Sequence, residues 1–301
     1  MKEHILNFIG YASGIAAGDQ SSCMGPLILQ DSQQLKQLKH PWHWIDNLYP
    51  SDNRTGMEAL RPVAELCDRL ARHSYQLTQD KQLFATIGGD HSCAIGTWSG
   101  VAAAASGPIG LLWIDAYMES HTPETSPSMN LHGMPLAALL GHGPAELTQI
   151  FTDKVKLLPQ HVCLLGVRSF EASEQALLER LGVRIYFMPE INERGLTAVM
   201  AEALELINQD TVGYGISIDI NAIDPMDAPG VDTQAAQSIR GKALLESLTL
   251  LRNYPRLLAM EFAEFSPKLD FHGITGKLII DLTTAILDAS AVLSKTFVAN
   301  V

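Results

Sequence analysis

Three short apolar runs, each ending in a carboxylate, constrain this chain more than any bulk property. Ile109-Gly110-Leu111-Leu112-Trp113-Ile114 leads into Asp115 and, four residues on, Glu119. Leu83-Phe84-Ala85-Thr86-Ile87 leads into Gly88-Gly89-Asp90-His91-Ser92. Gly215-Ile216-Ser217-Ile218 leads into Asp219-Ile220-Asn221-Ala222-Ile223-Asp224-Pro225. Continuous apolar runs of this length read as strands buried on both faces, as in parallel sheets. Ligands bind at the carboxyl ends of strands in open α/β sheets. His, Asp, Glu and Asn converging there suit a hard or borderline cation.

The rest of the chain repeats the alternation. Strand-like runs cover 5–9, 42–48, 83–87, 109–114, 162–167, 183–187, 213–218 and 256–262. Helical patterns cover 25–38, 57–77, an Ala-rich stretch to 105, 133–140, 171–181, 196–207, 242–252 and 276–293. Strands alternating with helices predict a parallel sheet with helices on both sides. A (β/α)8 barrel has the same element count and stays open at this point. No linker, charge block or internal repeat interrupts the chain, so 1–301 is read as a single domain.

Composition excludes several function classes. A chain of 301 residues, 47% hydrophobic and 18% charged, builds a globular core and is not disordered. A net charge of -12 argues against nucleic acid or an anionic membrane surface as partner. Cys23, Cys67, Cys93 and Cys163 lack CxxC spacing and read as reduced thiols. Cys93 has no basic neighbour and reads as buried rather than nucleophilic. No signal peptide is visible, and no apolar run approaches the roughly 20 residues of a membrane helix. The expectation is a soluble cytoplasmic protein.

The order of the polar blocks narrows the reading. Gly88-Gly89-Asp90-His91-Ser92 is followed by Asp115-Ala116-x-x-Glu119, then Ser128-x-Asn130-Leu131-His132-Gly133, then Ser217-Ile218-Asp219-x-Asn221-x-x-Asp224-Pro225, then Glu264-Phe265-Ser266-Pro267. In this order the blocks resemble the arginase/agmatinase (ureohydrolase) family, from about residue 10 to 287. The resemblance implies a three-layer α/β/α domain with an eight-stranded parallel sheet, which decides against the barrel. It also implies a manganese pair bridged by a hydroxide that attacks a guanidinium carbon and releases urea. Oligomers of three or six copies are implied in the same way.

Set against that pattern, three of six ligand positions depart. The resemblance implies one metal on His91, Asp115, Glu119 and Asp219, where Glu119 replaces an aspartate. It implies a second metal on Asp115, Tyr117, Asp219 and Asn221, where Tyr117 replaces a histidine and Asn221 an aspartate. A phenol of pKa about 10 is neutral at pH 7 and ligates poorly. An amide oxygen ligates without charge. The expectation is therefore one manganese ion or none, with Tyr117 and Asn221 plugging the degenerate second position through hydrogen bonds to the carboxylates. His132 matches the family's proton-shuttle histidine, and Glu264 the carboxylate that pairs with the substrate guanidinium. Ser128 and Asn130 match contacts to an amino-acid carboxylate, Glu171 the reader of an α-amino group, and Thr233 a further pattern position. Met129 replaces a usual glycine in that loop, which would crowd the substrate, and the 234–238 rim lacks the usual Pro and Gly-Gly.

Bland readings stand beside these. His91 could be a satisfied core histidine and His132 a loop anchor, while Asp90 and Asp224 read as loop hydrogen bonders. His121, four residues from Tyr117, could compensate for the missing imidazole. Two functions follow: a C–N hydrolase for guanidino or amidino compounds with weak or altered activity, or a non-catalytic relative that binds an amino acid or partners other subunits. Ordinary two-metal arginase activity ranks third.

Overall fold

Side chains alternate along each strand and feed two separate cores. In the 109–114 strand every residue is buried. Leu112 and Ile114 enter one core, and Leu111 and Trp113 the other. Neither face can tolerate polar residues, which is why the run reads as continuously apolar.

The computed structural model describes residues 5–18, 20–233 and 237–296. The strands are β1 (Leu6–Tyr11), β2 (Trp42–Leu48), β3 (Phe84–Gly88), β4 (Ile109–Ile114), β5 (Val162–Val167), β6 (Arg184–Phe187), β7 (Gly213–Asp219) and β8 (Leu257–Ala263). The helices are α1 (Gly25–Asp31), α2 (Gln33–Lys36), α3 (Leu60–Gln79), α4 (Cys93–Ala104), α5 (Pro135–Leu139), α6 (Ala145–Thr148), α7 (Ala172–Leu181), α8 (Met188–Arg194), α9 (Leu196–Asn208), α10 (Gly241–Leu248) and α11 (Ile274–Thr296). All strand pairs are parallel, in the order β2-β1-β3-β8-β7-β4-β5-β6. The sheet has free edges at β2 and β6, so the barrel alternative fails.

One core gathers Leu29 of α1, Val199 and Ala203 of α9, Leu244 of α10 and Ile279 of α11. The other gathers Val63 and Leu70 of α3, Ile95 and Trp98 of α4, and Leu136 of α5. Helices on both faces make three layers. Gly215 lets α4 approach the sheet closely: a Cβ there would sit 2.0 Å from the Trp98 ring.

The helical patterns come out shorter than expected in three places, one of them 133–140, which is α-helical only over Pro135–Leu139. The 25–38 segment breaks at Ser32, which is extended and accepts a hydrogen bond from Leu35 N–H, so α1 ends and α2 starts. The 242–252 segment is α-helical only to Leu248 and continues as a 3-10 turn over Thr249–Asn253. Helices α6 and α8, of four and seven residues, are too short to show periodicity in sequence. Cys67, Cys93 and Cys163 are buried and Cys23 is half-buried. Among the described residues no helix is long and apolar enough to cross a membrane.

Strands β3, β8, β7 and β4 are consecutive in the sheet. Their carboxyl ends place His91, Glu264, Asp219 and Asp115 along one edge.

Candidate metal centre

The turn after β3 is held from below before it presents His91. A Cβ on Gly89 would lie 1.9 Å from Ser13 O, so only glycine lets the turn cross β1's continuation. Asp90, fully buried, accepts from Ala16 N–H at 3.1 Å and Ser92 N–H at 3.0 Å, and from the Ser92 hydroxyl. Burial and the nearby Glu264 charge push its carboxyl up to about 6. Asp90 is thus a loop fastener, as its position in sequence implied. Asp224 is another, accepting from Met226 N–H at 2.9 Å.

His91, Asp115, Glu119 and Asp219 offer ligand atoms that all lie within 4.8 Å of one another. All four are buried. Trp113 Nε1–H donates to Asp115 Oδ2 at 2.9 Å, and Tyr117 N–H to Asp115 Oδ1 at 2.9 Å. Asn221 N–H donates to Asp219 Oδ1 at 2.6 Å. The His91 ring stacks on Trp113 with centroids 4.4 Å apart. Its Nε2 lies 3.0 Å from Ser217 Oγ, whose own proton goes to Glu261 Oε1 at 2.8 Å. Ser217 therefore accepts from Nε2–H, which leaves Nδ1 as the ligating atom of a neutral ring.

That Nδ1 sits 3.3 Å from Asp115 Oδ2 and 3.3 Å from Asp219 Oδ2, without hydrogen-bond alignment to either. A lone pair facing two carboxylates is repulsive unless a proton or a cation lies between them. Glu119 Oε2 is likewise buried with no partner. Burial, then the Asp115 charge, holds the Glu119 carboxyl well above the usual range. The same causes push Asp219 up to about 7, with His91 opposing them. Burial works against a charged His91, but the Asp115 and Asp219 carboxylates outweigh it and raise its pKa. Three crowded carboxylates, an imidazole and two orphaned donor atoms fit one divalent cation.

The second expected position holds a phenol and an amide. Tyr117 is half-buried, and burial together with Asp219 and Asp115 raises its phenol, keeping it neutral. Asn221 Oδ1 is buried without a partner. Among the described residues, the hydrogen bonds from Tyr117 and Asn221 to Asp115 and Asp219 come from their backbone N–H groups, not from the phenol or the side-chain amide.

His132 Nδ1 lies 3.2 Å from Glu264 Oε1, which also accepts from His91 N–H at 2.9 Å. Burial disfavours the His132 charge, yet Glu264 outweighs it and raises the pKa. His132 N–H is tied to Ala16 O at 3.1 Å, and Leu136 N–H to Glu119 O at 2.8 Å, which zips the 119–136 loop shut. Ser128 and Thr233 lie exposed and Asn130 half-exposed; no hydrogen bond links them to the buried carboxylates. Ser128 Oγ accepts from Asn130 N–H at 3.2 Å. Met129 between them adopts φ 58°, a left-handed backbone suited to glycine. Residues 234–236 of the remodelled rim lie outside the described residues.

His121 does not replace the missing imidazole. Its Nε2 faces Glu171 Oε2 at 3.0 Å and Glu174 Oε2 at 3.4 Å. Burial and the neighbouring Glu171 push Glu174 up to about 8. Glu174 was missed in sequence because it reads as an ordinary polar residue of an amphipathic helix. Ser217, Glu261 and Trp98, whose Nε1–H donates to Glu261 Oε1 at 3.3 Å, were missed as well. A lone glutamate inside the otherwise apolar β8 was the available signal.

The fold is an open α/β sheet that gathers along one edge a set of donors able to hold a metal ion. Within that class the chain belongs to the arginase family, a family of hydrolases, which it matches over residues 8–288. A Bacillus caldovelox arginase is 39% identical over 289 residues, 92% of this chain and 96% of that protein. The crystal structure of arginase from Bacillus subtilis superposes with TM-score 0.87 at 30% identity, covering 94% of this chain and 98% of that one. Entamoeba histolytica arginase, solved with L-ornithine, gives TM-score 0.83 at 26% identity over 95% of this chain and 99% of that one.

Proposed function

We propose that this chain hydrolyses a C–N bond of a guanidino or amidino compound with one divalent cation, Mn2+ by family, held on His91, Asp115, Glu119 and Asp219. The orphaned His91 Nδ1 among buried carboxylates carries the reading. When bound, the cation supplies Lewis-acid polarisation and lowers the pKa of water.

The chain's own residues do the rest. Glu264, whose carboxyl His132 and the His91 N–H hold low against burial, is the anion for the guanidinium, with Oε2 outside the two hydrogen bonds at Oε1. Water oxygen adds to the guanidino carbon, the C–N bond breaks, and the leaving nitrogen takes a proton. In this reading His132 gives that proton from Nε2, which the contact of Nδ1 with Glu264 supports. Glu171 and, at the rim, Ser128, Asn130 and Thr233 face an amino-acid head group in this reading. Tyr117 and Asn221 leave the second position short of charge, which favours slow turnover.

Purified protein with added Mn2+ should hold one ion per chain and release urea or ammonia from arginine, agmatine, guanidinobutyrate or formiminoglutamate. No turnover across that panel overturns the hydrolase reading and favours the non-catalytic one, for which Tyr117 and Asn221 are the specific support. In that case Tyr117→His, Glu119→Asp and Asn221→Asp together should create activity. Light scattering on the same preparation tests the trimer or hexamer implied by family.

A further inference from the structure

The loop that follows Glu119 carries a second cluster of ligand atoms. His121 Nε2, Glu171 Oε2 and Glu174 Oε2 converge within 4.8 Å, from the 119–136 loop and the start of α7. Their separations from His121 are 3.0 Å and 3.4 Å. Donor atoms at 2.0–2.2 Å from a tetrahedral ion sit roughly 3.3–3.6 Å apart, so only small adjustments separate this cluster from a coordination shell. We propose that His121, Glu171 and Glu174 form a second divalent-cation site, for which one imidazole and two carboxylates make Zn2+ the best match.

Three observations carry the proposal. The side chains are already fastened by their other atoms. His121 Nδ1 lies 3.2 Å from Thr125 Oγ1, whose hydrogen bonds to Thr122 fix its place. Nε2 is therefore the atom turned to both carboxylates. Glu174 Oε1 accepts from Ser120 N–H at 3.1 Å, and Oε2 from Glu171 N–H at 3.1 Å, leaving one lone pair on Oε2 for a ligand. Next, His121 and Glu174 are buried, so the Glu174 carboxylate and the imidazole meet with little water, while Glu171 reaches them from the exposed side. Last, the Ser120 hydroxyl beside them is buried without a partner, one more oxygen unused by the protein.

The start of α7 opposes a cation, but with only about half an elementary charge against two carboxylates. Three protein donors leave a fourth position, open through the exposed Glu171. Glu171 is also the carboxylate proposed above for a substrate's amino group, so the ion and that group exclude one another.

Zinc counted by mass spectrometry on the full chain, after removal of metals and reloading with Zn2+, tests this. H121N/E174Q should carry one Zn2+ fewer than the unaltered chain. An unchanged count overturns the proposal. E171Q, an exposed change that spares the core, should weaken Zn2+ binding at least tenfold by titration calorimetry, and an unchanged affinity is equally fatal. H91N reports separately on the other site. Loss of an ion there alone supports the hydrolase reading and not this one; loss in H121N/E174Q alone supports this one and not the other.

Discussion

Glu119 and Glu264 share an unusual backbone: φ is 51° at the first and 66° at the second. Left-handed conformations cost a non-glycine residue of the order of 1–3 kcal/mol and persist where surrounding structure fixes them. The two residues stand on the loops that leave β4 and β8, the strands that flank β7 in the sheet. Trp113 acts at the same scale. Its indole N–H fixes Asp115, so Trp113→Phe should keep the fold yet weaken Mn2+ binding about 10- to 100-fold by calorimetry, as loss of an outer hydrogen bond does. The ligands themselves were legible because a charged residue ending an apolar run needs a reason. Trp113 was not, because an indole inside a strand looks like core whether or not its N–H is used. Ser217 was hidden in the same way inside β7, whereas Glu261 stood out as a charge inside apolar β8.

At the scale of elements, α10 shows how capping is done from a distance. Its first amide, Gly241 N–H, donates to Asp227 Oδ2 at 2.9 Å, and Arg240 Nε–H donates to the same oxygen at 2.8 Å. Arg240 and that amide hold the Asp227 carboxyl below its ordinary value of 3.8, against burial. A lowered folded pKa means the ionised form stabilises the fold above the unfolded pKa, and that this is lost as pH falls through the folded one. Asp227→Asn should therefore cost about 1 kcal/mol at pH 7 in urea unfolding, and the difference should close below pH 3.8. Strand positions were legible to within one or two residues because the central strands, buried on both faces, leave no other pattern. Helix breaks were not: Ser32 has the composition of a helix residue, and only its use of its hydroxyl on Leu35 N–H ends α1.

Over the whole molecule, binding an ion to the folded state alone must raise its stability. At a free concentration 100 times Kd the gain is about 2.7 kcal/mol, which for 301 residues moves the melting temperature by about 4 °C. Calorimetric scans with Mn2+ and with chelator should differ by that order, and His91→Asn should erase most of the difference. The family and sheet were legible from the order of the polar blocks. The His121 cluster was not, since its partners lie fifty residues away on another element.

The strand order carries one more consequence. β8 alone joins the β2-β1-β3 ribbon to the β7-β4-β5-β6 ribbon, although it is the last strand in the chain. A growing polypeptide emerging from the ribosome thus holds two unfinished half-sheets with raw seams until residues 257–263 slot between them. Truncation before that keystone should leave a protease-sensitive, aggregation-prone chain.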